Sequence, residues 1–507
     1  MTILACCLLI ILALFIRYMP NYIVTQGSTG VDQWFWKAYI ETLRDQKKMP
    51  PQLPQFLLDE KQWYPPLFPF IIAKLPAVIF EKYANQLSIL IDLLRMSLLL
   101  LAVWWLSESL LALVVAGVIY SITPLLISYN MQLNPRGLAA LFLDAMWLCI
   151  LGVFFHKLPD YFLILAFIFS GLILITHKMT TQILFFTTIC FALFLQDFRF
   201  LLLIPCSMLA ALILSGGFYR YVFLAHIDIV RFWYKNHYWS GSNPILESPI
   251  YGEKDYETPT KYYRKGLKAW IRRLQFIIGF NPWMPAGVVV TLAAIYYQQP
   301  FSDVSGFVIA WFILSFLFAL LTTLVSALRC LGNGYLYGYN GIFPVALFFA
   351  LTAEHLAQTW YWLTIFISTI IACGVALFAF FKALKSSRTM KVETDLDKAI
   401  CYLRGLPDGV VMCIPQHWHD VVAYRTGKKV AYGGHGYGFK LLQPFFPRLM
   451  QPIQSLIEQY QVRYLLTLPQ YLNAKFIEDL PQSTAVDFGD YRIYCFTEQT
   501  HSLQQLR

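Results

Sequence analysis

Repeated stretches of apolar residues, each long enough to cross a lipid bilayer, constrain the fold of this chain more than any other feature. A helix needs about 17–25 residues to span the hydrocarbon core of a membrane. Inside that core every backbone polar group must be paired internally, so these stretches are predicted to be helices. About eleven spans are predicted, at approximately residues 2–19, 87–106, 109–128, 138–155, 160–176, 181–196, 200–217, 274–297, 306–328, 339–356 and 360–383.

The composition agrees with a membrane protein. Apolar residues make up 58% of the chain, charged residues make up 13%, and the mean hydropathy is +0.54. Soluble domains carry about twice that charged fraction, so the sequence predicts a polytopic α-helical membrane protein. The formal net charge is +10, but no run of Lys or Arg forms a basic arm, which argues against a nucleic-acid partner. Attraction to anionic head groups and phosphates explains the charge, and so do loop residues that anchor helices.

Three segments are too polar to cross a membrane. Two are loops, residues 20–86 and 218–273, and the second is rich in the aromatic and basic side chains typical of segments that lie in the membrane interface. Within the first loop, the Pro-rich residues 64–80 are predicted to form a re-entrant or interfacial helix. After a membrane domain at residues 1–383, residues 384–507 alternate strand-like and helix-like runs, which predicts a small soluble α/β domain. Its strand-like runs are Gly409–Ile414, a stretch at Ala431, Tyr464–Leu468, Ala485–Phe488 and Tyr491–Phe496, and Pro452–Tyr460 is an amphipathic helical run.

The order of spans and loops predicts that the polar segments collect on one side of the membrane. If the N-terminus is cytoplasmic, both long loops and the C-terminal domain lie outside, together with the short connections at 134–136, 176–178 and 328–329. Most Lys and Arg residues then lie outside, against the positive-inside rule, but that rule is counted over short loops rather than over long ones. The sequence therefore predicts a multi-pass protein of the cell inner or plasma membrane with an extracytoplasmic site.

One carboxylate, Asp32, lies shortly after the first predicted span and beside aromatic residues. Charged groups at the edge of the bilayer are costly enough to indicate a functional site. Asp32 could act as a general base toward an acceptor hydroxyl or amine, or as the ligand of a divalent cation. A solvated loop acid or a helix cap explains it equally well. Asp59 and Glu60 in the same loop are interpreted as surface residues.

Four basic residues lie at predicted span ends on the same side as Asp32, namely Arg136, His177, Lys178 and Arg329. A guanidinium group binds phosphate through a planar fork, and the adjacent His177 and Lys178 could hold a lipid phosphate. Pro135 disfavours helix in the residue before it, which places Arg136 near the start of a helix. Each of the four is explained equally well as an interfacial anchor whose apolar stem lies in the membrane.

Taken together, these features resemble the GT-C superfamily of polytopic glycosyltransferases, which includes protein O-mannosyltransferases, lipid A aminoarabinose transferases and the catalytic subunit of oligosaccharyltransferase. The resemblance is carried by Asp32, Tyr64-Pro65-Pro66, Asn134-Pro135-Arg136, His177-Lys178, the segment from Arg329 to Pro344 and the C-terminal α/β domain. The sequence departs from the pattern at Gln33, where mannosyltransferase-like members often carry Glu. The Trp-Trp-Asp motif of oligosaccharyltransferase is absent, which argues against N-glycosylation of protein.

The resemblance implies a polyprenyl-phosphate-linked sugar donor, an active site on the external face and inversion at the anomeric carbon. Asp32 would be the catalytic acid–base or a metal-linked carboxylate. Arg136 and Arg329 would bind the donor phosphate, as would, with less support, His177 and Lys178. No cofactor is implied with certainty, and the participation of a divalent cation is left open. The acceptor would be a lipid, a polysaccharide or a protein.

A transporter or flippase for a lipid-linked sugar is the main alternative function. Transporters place polar residues within the membrane at broken helices, and Asp92, Arg95, Glu108 and Asp144 lie near or within predicted spans. Most charged groups lie at span ends instead, and no internal repeat is evident. A structural subunit without transferase activity is a third interpretation.

Overall fold

The structure is a computed structural model that describes residues 1–24, 32–49, 51–58, 61, 63–256, 264–389, 392–433 and 439–496. Asp59 and Glu60 therefore lie outside the described residues. The chain forms two compact units. The first contains Met1–Gln33, Pro65–Lys235 and Lys265–Thr389, and the second contains Trp34–Tyr64, Asn236–Arg264 and Met390–Arg507.

The first unit is a bundle of mostly apolar helices. In chain order they are α1 (Thr2–Ile23), α2 (Asp32–Gln46), α3 (Leu67–Ala73), α4 (Ala77–Tyr83), α5 (Gln86–Ser107), α6 (Leu110–Ile122), α7 (Pro124–Tyr129), α8 (Arg136–Phe155), α9 (Phe162–Leu174), α10 (Lys178–Phe194), α11 (Leu203–Leu214), α12 (Tyr219–Asn236), α13 (Leu267–Phe280), α14 (Trp283–Tyr296), α15 (Asp303–Leu324), α16 (Gly338–Leu356) and α17 (Trp360–Thr389). Only Asp32 and Gln33 of α2 belong to this unit. Short 3₁₀ turns at Phe198–Leu202, Ser326–Leu331 and Gly334–Tyr337 join some of the helices.

The predicted fold class is confirmed, because the chain combines a polytopic helical bundle with a C-terminal α/β domain. Within the described residues, six helices are long and apolar enough to cross a membrane, and the pair α13 and α14 adds a seventh if it counts as one span. Four shorter apolar helices accompany them, at Leu110–Ile122, Phe162–Leu174, Lys178–Phe194 and Phe198–Leu214. Each of the eleven predicted spans overlaps one of these helices or helix pairs, while the number that cross the membrane stays a prediction.

The predicted span 274–297 is covered by a pair of helices rather than by one continuous helix. Helix α13 ends at Phe280, α14 begins at Trp283, and their axes differ by 85°. Pro282 has no N–H, and it disfavours helical backbone in the residue before it, so the helix breaks there. Asn281 then fixes the corner by donating its side-chain amide to the carbonyl oxygen of Gly338 at 3.0 Å.

Two ion pairs lie fully buried in the core of the first unit. Arg17 of α1 pairs with Asp92 of α5, and Arg95, one turn further along α5, pairs with Asp144 of α8; none of the four side chains is exposed. Arg95 also donates from Nη1 to the carbonyl oxygen of Tyr339 in α16, at 3.0 Å. Asp92, Arg95 and Asp144, three of the four charges noted near or within predicted spans, therefore connect α1, α5, α8 and α16.

Arg17 also compensates for a break in the predicted span 109–128. Helix α6 ends before Pro124, which has no N–H to donate to the carbonyl oxygen of Tyr120 four residues earlier. Arg17 donates to that oxygen at 3.0 Å and to the carbonyl oxygen of Ser121 at 3.1 Å. Because unpaired carbonyls are costly in a membrane, these bonds stabilise the broken helix.

The second unit is built on a four-stranded sheet of order β1-β2-β4-β3. Strand β1 is parallel to β2, whereas β2 with β4 and β3 with β4 are antiparallel. Its elements are β1 (Val410–Ile414), β2 (Val462–Thr467), β3 (Ser483–Phe488), β4 (Tyr491–Phe496), α18 (Val392–Gly405), α19 (His419–Thr426), α20 (Ile453–Tyr460) and α21 (Ala474–Glu478).

Two segments that the sequence assigned to loops, residues 34–64 and 236–264, belong to the second unit. The backbone N–H of Leu57 donates to the carbonyl oxygen of Val430 at 3.0 Å. The Ser248 hydroxyl donates to the carbonyl oxygen of Leu449 at 2.6 Å. The α/β unit thus includes long insertions from both loops, which no local sequence pattern indicated.

Candidate functional site

Three of the predicted site residues each begin a helix in the first unit. Asp32 begins α2, Arg136 begins α8 and Lys178 begins α10. The Lys178 ammonium interacts electrostatically with both the Asp32 carboxylate and the Arg136 guanidinium. All three side chains are partly exposed. The fold therefore brings one carboxylate and two cations to one place, although they are far apart in the sequence.

The helix starts add to the positive potential at this place. The first N–H groups of a helix have no partner within the helix, and its N-terminus carries a partial positive charge. Helices α8 and α10 both begin at a cation of the cluster, Arg136 and Lys178. Backbone donors and cationic side chains together make an environment suited to a phosphate or another anion.

Arg136 is positioned by the connection that precedes α8 and by α10. Its backbone N–H donates to Asn134 Oδ1 at 3.1 Å, its guanidinium carbon lies 4.5 Å from the centre of the Tyr129 ring, and its Nη2 lies 3.9 Å from Met179 Sδ. Nη1 of Arg136 is buried and has no hydrogen-bond partner within the described ranges. Because buried donors are generally paired, an anion that accepts from this nitrogen would complete the site.

His177 acts as the cap of α10. It is 5% exposed, and the Thr180 N–H donates to its Nδ1 at 3.4 Å. Its carbonyl oxygen accepts from the Thr181 hydroxyl at 3.2 Å. This nitrogen and the carbonyl therefore face the first turn of the helix, and a contact between His177 and a phosphate stays a prediction.

Arg329 caps the C-terminal end of α15. Its Nε donates to the carbonyl oxygen of Thr323 at 3.2 Å, and its Nη2 lies 3.5 Å from that of Leu324. The loop after it passes Met179, because a Cβ at Gly332 would lie 3.1 Å from Met179 Cε. Arg329 thus holds a loop that reaches the residue contacted by Arg136, and its binding of a phosphate stays a prediction.

Packing explains the glycines of this loop. Gly332 has a φ of +125°, which side chains rarely adopt. A Cβ at Gly334 would overlap the Thr323 hydroxyl and the carbonyl oxygen of Ala319 in α15. A positive φ therefore accounts for Gly332, and close approach to α15 accounts for Gly334.

Two residues near Lys178, Gln182 and His226, were not identified from the sequence, and Tyr337 of the segment from Arg329 to Pro344 contacts one of them. Gln182 lies one turn after Lys178 in α10, and its side-chain nitrogen is 2.8 Å from Nε2 of His226 in α12. The Tyr337 hydroxyl donates to the side-chain oxygen of Gln182. Burial first, and then the Lys178 ammonium, lower the pKa of His226 to about 4, so this ring is neutral near pH 7.

Gln182 and His226 were missed because the sequence offers only one weak signal for them. Lys178 and Gln182 are four residues apart, a separation that places two side chains on the same face of a helix, and this was the one available signal. His226 lies in a long aromatic-basic segment, where nothing in the local pattern separates it from its neighbours. Its position depends on how α12 packs.

The chemistry that the cluster can supply follows from its groups. Asp32 offers a carboxylate that can accept a proton, and Arg136 and Lys178 offer cations that can neutralise a phosphate. Among the described residues, no three His, Cys, Asp or Glu side chains come close enough together to hold a metal ion. Asp59 and Glu60 lie outside those residues, and the participation of a divalent cation stays open.

The whole chain is similar in structure to solved proteins with which it shares little sequence. ArnT from Cupriavidus metallidurans bound to undecaprenyl phosphate matches with a TM-score of 0.58 at 10% identity, over 96% of this chain and 97% of that chain. The apo oligosaccharyltransferase from Archaeoglobus fulgidus matches with a TM-score of 0.55 at 12% identity, over 99% and 75%. AglB from the same organism, in complex with an inhibitory peptide and a dolichol-phosphate, gives 0.52 at 11% identity, also over 99% and 75%.

Neither a protein-family model nor a curated protein sequence matches the chain. The structural neighbours are GT-C superfamily members, so the architecture expected from the resemblance is confirmed. At these identities the likeness establishes the fold.

Proposed function

We propose that this chain, which has the GT-C fold, is a membrane glycosyltransferase that moves a sugar from a polyprenyl-phosphate-linked donor to an acceptor on the extracytoplasmic face. The observation that carries the proposal is the meeting of Asp32, Arg136 and Lys178 in the first unit. The neighbours support the choice of lipid, because one was solved with undecaprenyl phosphate and another with a dolichol-phosphate.

The two cations bind the donor phosphate in this proposal. When the bond between the anomeric carbon and the phosphate oxygen breaks, its electron pair stays on that oxygen and the phosphate gains negative charge. Arg136 and Lys178, with the N–H groups at the starts of α8 and α10, stabilise that charge as it develops. His177 and Arg329 hold the adjoining backbone and are secondary candidates for the same anion.

Asp32 acts as the general base. The acceptor hydroxyl or amine attacks the anomeric carbon from the face opposite the phosphate, which inverts the configuration, and its proton passes to the Asp32 carboxylate. A base and two phosphate-binding cations at one place allow the attacking and leaving groups to be held in the same site.

The transporter alternative loses part of its support. Asp92, Arg95 and Asp144, which favoured it in the sequence, form buried ion pairs with no exposed side-chain area, and Glu108 lies exposed just after the end of α5. Groups that are paired in the core are better explained as structural.

The test is transfer of a radiolabelled sugar from a polyprenyl-phosphate donor by the full chain in proteoliposomes. Asp32→Asn is expected to abolish transfer, because the amide cannot accept the proton, while the protein still folds and binds the donor. Asp160→Asn, at an exposed acid between α8 and α9, is the matched control and is expected to retain wild-type transfer. Near-normal transfer by Asp32→Asn would remove Asp32 from the mechanism, and donor translocation without transfer by the wild type would favour a flippase.

A further inference from the structure

Helix α13 has a buried face and an exposed apolar face. Its buried residues are Ala269, Arg273 and Ile277. On a helix with about 100° of rotation per residue, Leu267, Ile271 and Ile278 fall within about 40° of one another on a different face. These three side chains are 70%, 43% and 48% exposed. An apolar stripe of this kind, adjoining the bundle but not packed into it, is suited to the acyl region of a membrane.

A basic face adjoins the apolar one. Lys268 and Arg272 are both exposed, and they lie about 100° further round the helix than Leu267 and Ile271. When an amphipathic helix lies with its apolar stripe in the acyl region, a basic stripe at this angle is level with the lipid head groups.

The corner between α13 and α14 gives the helix the required orientation. Helix α14 is apolar and packs within the bundle, and α13 meets it at 85°. If α14 runs across the membrane, α13 must run along its surface. The angle between α13 and α14 and the distribution of buried, apolar and basic side chains around α13 both favour a position along the membrane surface.

We infer that α13 is a surface helix that binds anionic phospholipid head groups through Lys268 and Arg272. The charge of the stripe selects anionic over zwitterionic lipid, because each basic side chain in the head-group layer favours an anionic surface by about fivefold. The lipid is a component of the surrounding bilayer and is separate from any sugar donor.

The side of α13 that carries Phe276 and Phe280 is connected to the candidate site through two tyrosines. Phe276 and Phe280 pack on the Tyr335 ring, with ring centres 5.5 Å and 5.2 Å away. The Tyr335 hydroxyl lies 3.1 Å from that of Tyr129, the ring on which Arg136 stacks. Helix α13 therefore also supports, through Tyr335, the Tyr129 ring on which Arg136 stacks, and Arg136 is the residue proposed to bind the donor phosphate.

The test places a photoreactive p-benzoyl-phenylalanine at Gln275 in the full chain. This exposed position lies between the apolar and basic stripes, so it reports the local lipid. In nanodiscs of phosphatidylcholine and phosphatidylglycerol, cross-linking to phosphatidylglycerol is expected to exceed its share of the bilayer several-fold. Lys268→Gln with Arg272→Gln is expected to return the ratio to the bulk composition. Lys157→Gln with Arg199→Gln, at connections between other helices, is the matched control and is expected to leave the enrichment unchanged.

Bulk composition at Gln275 in the wild type would overturn the inference, as would enrichment that survives the loss of both basic side chains. Cross-links to protein alone would show that α13 is covered by another segment and would also overturn it. A second photoreactive residue, at Ile278, is expected to react with acyl chains if the apolar face is in the membrane. Neither readout depends on sugar transfer, so the outcome is independent of the proposed activity.

Discussion

Arg136 is the clearest single-residue feature of the candidate site. It begins helix α8, and its guanidinium stacks on the Tyr129 ring. Its Nη1 is buried and has no hydrogen-bond partner in the described part of the chain. Asn134 receives the backbone N–H of Arg136, and the Tyr129 ring holds the guanidinium by stacking. Such a guanidinium is prepared for an anion before the anion arrives.

Replacing Arg136 tests this preparation. Arg136→Gln is expected to weaken donor binding by about 2–3 kcal/mol, the usual effect of losing hydrogen bonds to a charged partner. Arg136→Lys is expected to recover only part of it, because an ammonium lacks the planar fork and the stacking surface. The measurement is the donor KM in the transfer assay, with Arg220→Gln on the exposed side of α12 as the control. Equal donor KM values in wild type and Arg136→Gln would contradict the assignment.

For individual residues, the sequence indicated which side chains to consider for a site but not the contacts that those side chains make. Asp32, Arg136 and Lys178 were selected because charged side chains beside apolar runs are unusual, and their role in a site stays a prediction. The capping roles of His177 and Arg329 could not be recognised, because they depend on where α10 begins and α15 ends. The position of His226 beside Gln182 depends on the packing of two helices.

The break between α6 and α7 depends on a residue from a distant part of the sequence. The carbonyl oxygens freed there are paired by Arg17, which belongs to α1, and Arg17 is in turn neutralised by Asp92 of α5. The broken helix therefore needs two other helices to be in place.

Arg17→Leu is expected to destabilise the first unit by about 3–5 kcal/mol, because it leaves Asp92 buried without its cation. Arg17→Leu with Asp92→Leu is expected to be less harmful than Arg17→Leu alone, since the double change removes the stranded charge but still leaves two carbonyls unpaired. Thermal unfolding of the purified chain in detergent measures both. A double variant less stable than either single variant would show that the pair is not coupled in this way.

In the α/β unit, β1 is held at its edge by a neutral histidine. The Cys413 N–H donates to Nε2 of His419 at 2.9 Å. Burial first, and then the neighbouring His417, lower the pKa of His419 to about 3. Because this is below the unfolded value of about 6.5, the stability that the neutral ring provides is complete above that pH and is lost as the pH falls from about 6.5 toward 3.

This linkage predicts acid sensitivity in the second unit. Its stability is expected to fall by about 2–3 kcal/mol between pH 7 and pH 4.5, measured by denaturant-dependent hydrogen exchange of peptides from β1 and α19. His419→Gln is expected to reduce this dependence, because the amide oxygen can accept from Cys413 but does not titrate in this range. Part of the dependence is expected to persist, because burial also lowers the pKa of His417 to about 4. Unchanged protection of β1 at pH 4.5 in the wild type would refute the linkage.

Elements were predicted well where the local pattern was strong. Strand β4 and the amphipathic α20 agree with the sequence to within a residue or two at each end. The predicted strand near Ala431 is reduced to isolated bridges at Val430. The spans 109–128 and 274–297 are broken at prolines that are visible in the sequence. These breaks could not be predicted from the prolines alone, because a proline inside an apolar run ends a helix only when other groups pair the freed backbone.

For the whole molecule, composition was sufficient to predict a membrane bundle with a soluble domain, but the make-up of the second unit was not predictable. Residues 34–64 and 236–264 join it through contacts across very long sequence separations. One of these contacts centres on Tyr251, whose hydroxyl donates to Asp479 and accepts from the Ile453 N–H at 2.6 Å. Such pairings produce no periodic pattern in the sequence.

Tyr251→Phe is expected to loosen the 236–256 segment from the α/β unit at a cost of about 1–3 kcal/mol, because the Ile453 N–H loses its acceptor while buried. Limited proteolysis of the full chain should then cleave within that segment faster than in wild type. Tyr234→Phe, an exposed tyrosine of α12, is the control. Equal cleavage rates would show that other contacts hold the segment.

The pairing of Arg17 also affects the order of events during synthesis. Arg17 leaves the ribosome 75 residues before Asp92 and 103 residues before Tyr120. At about 5–20 residues per second, the carboxylate follows about 4–15 s after the guanidinium. During that interval α1 holds an arginine without its partners, which favours a position near the translocon or the membrane interface. Helix α1 is therefore among the helices that can take their final places only after α5 and α6 have been inserted.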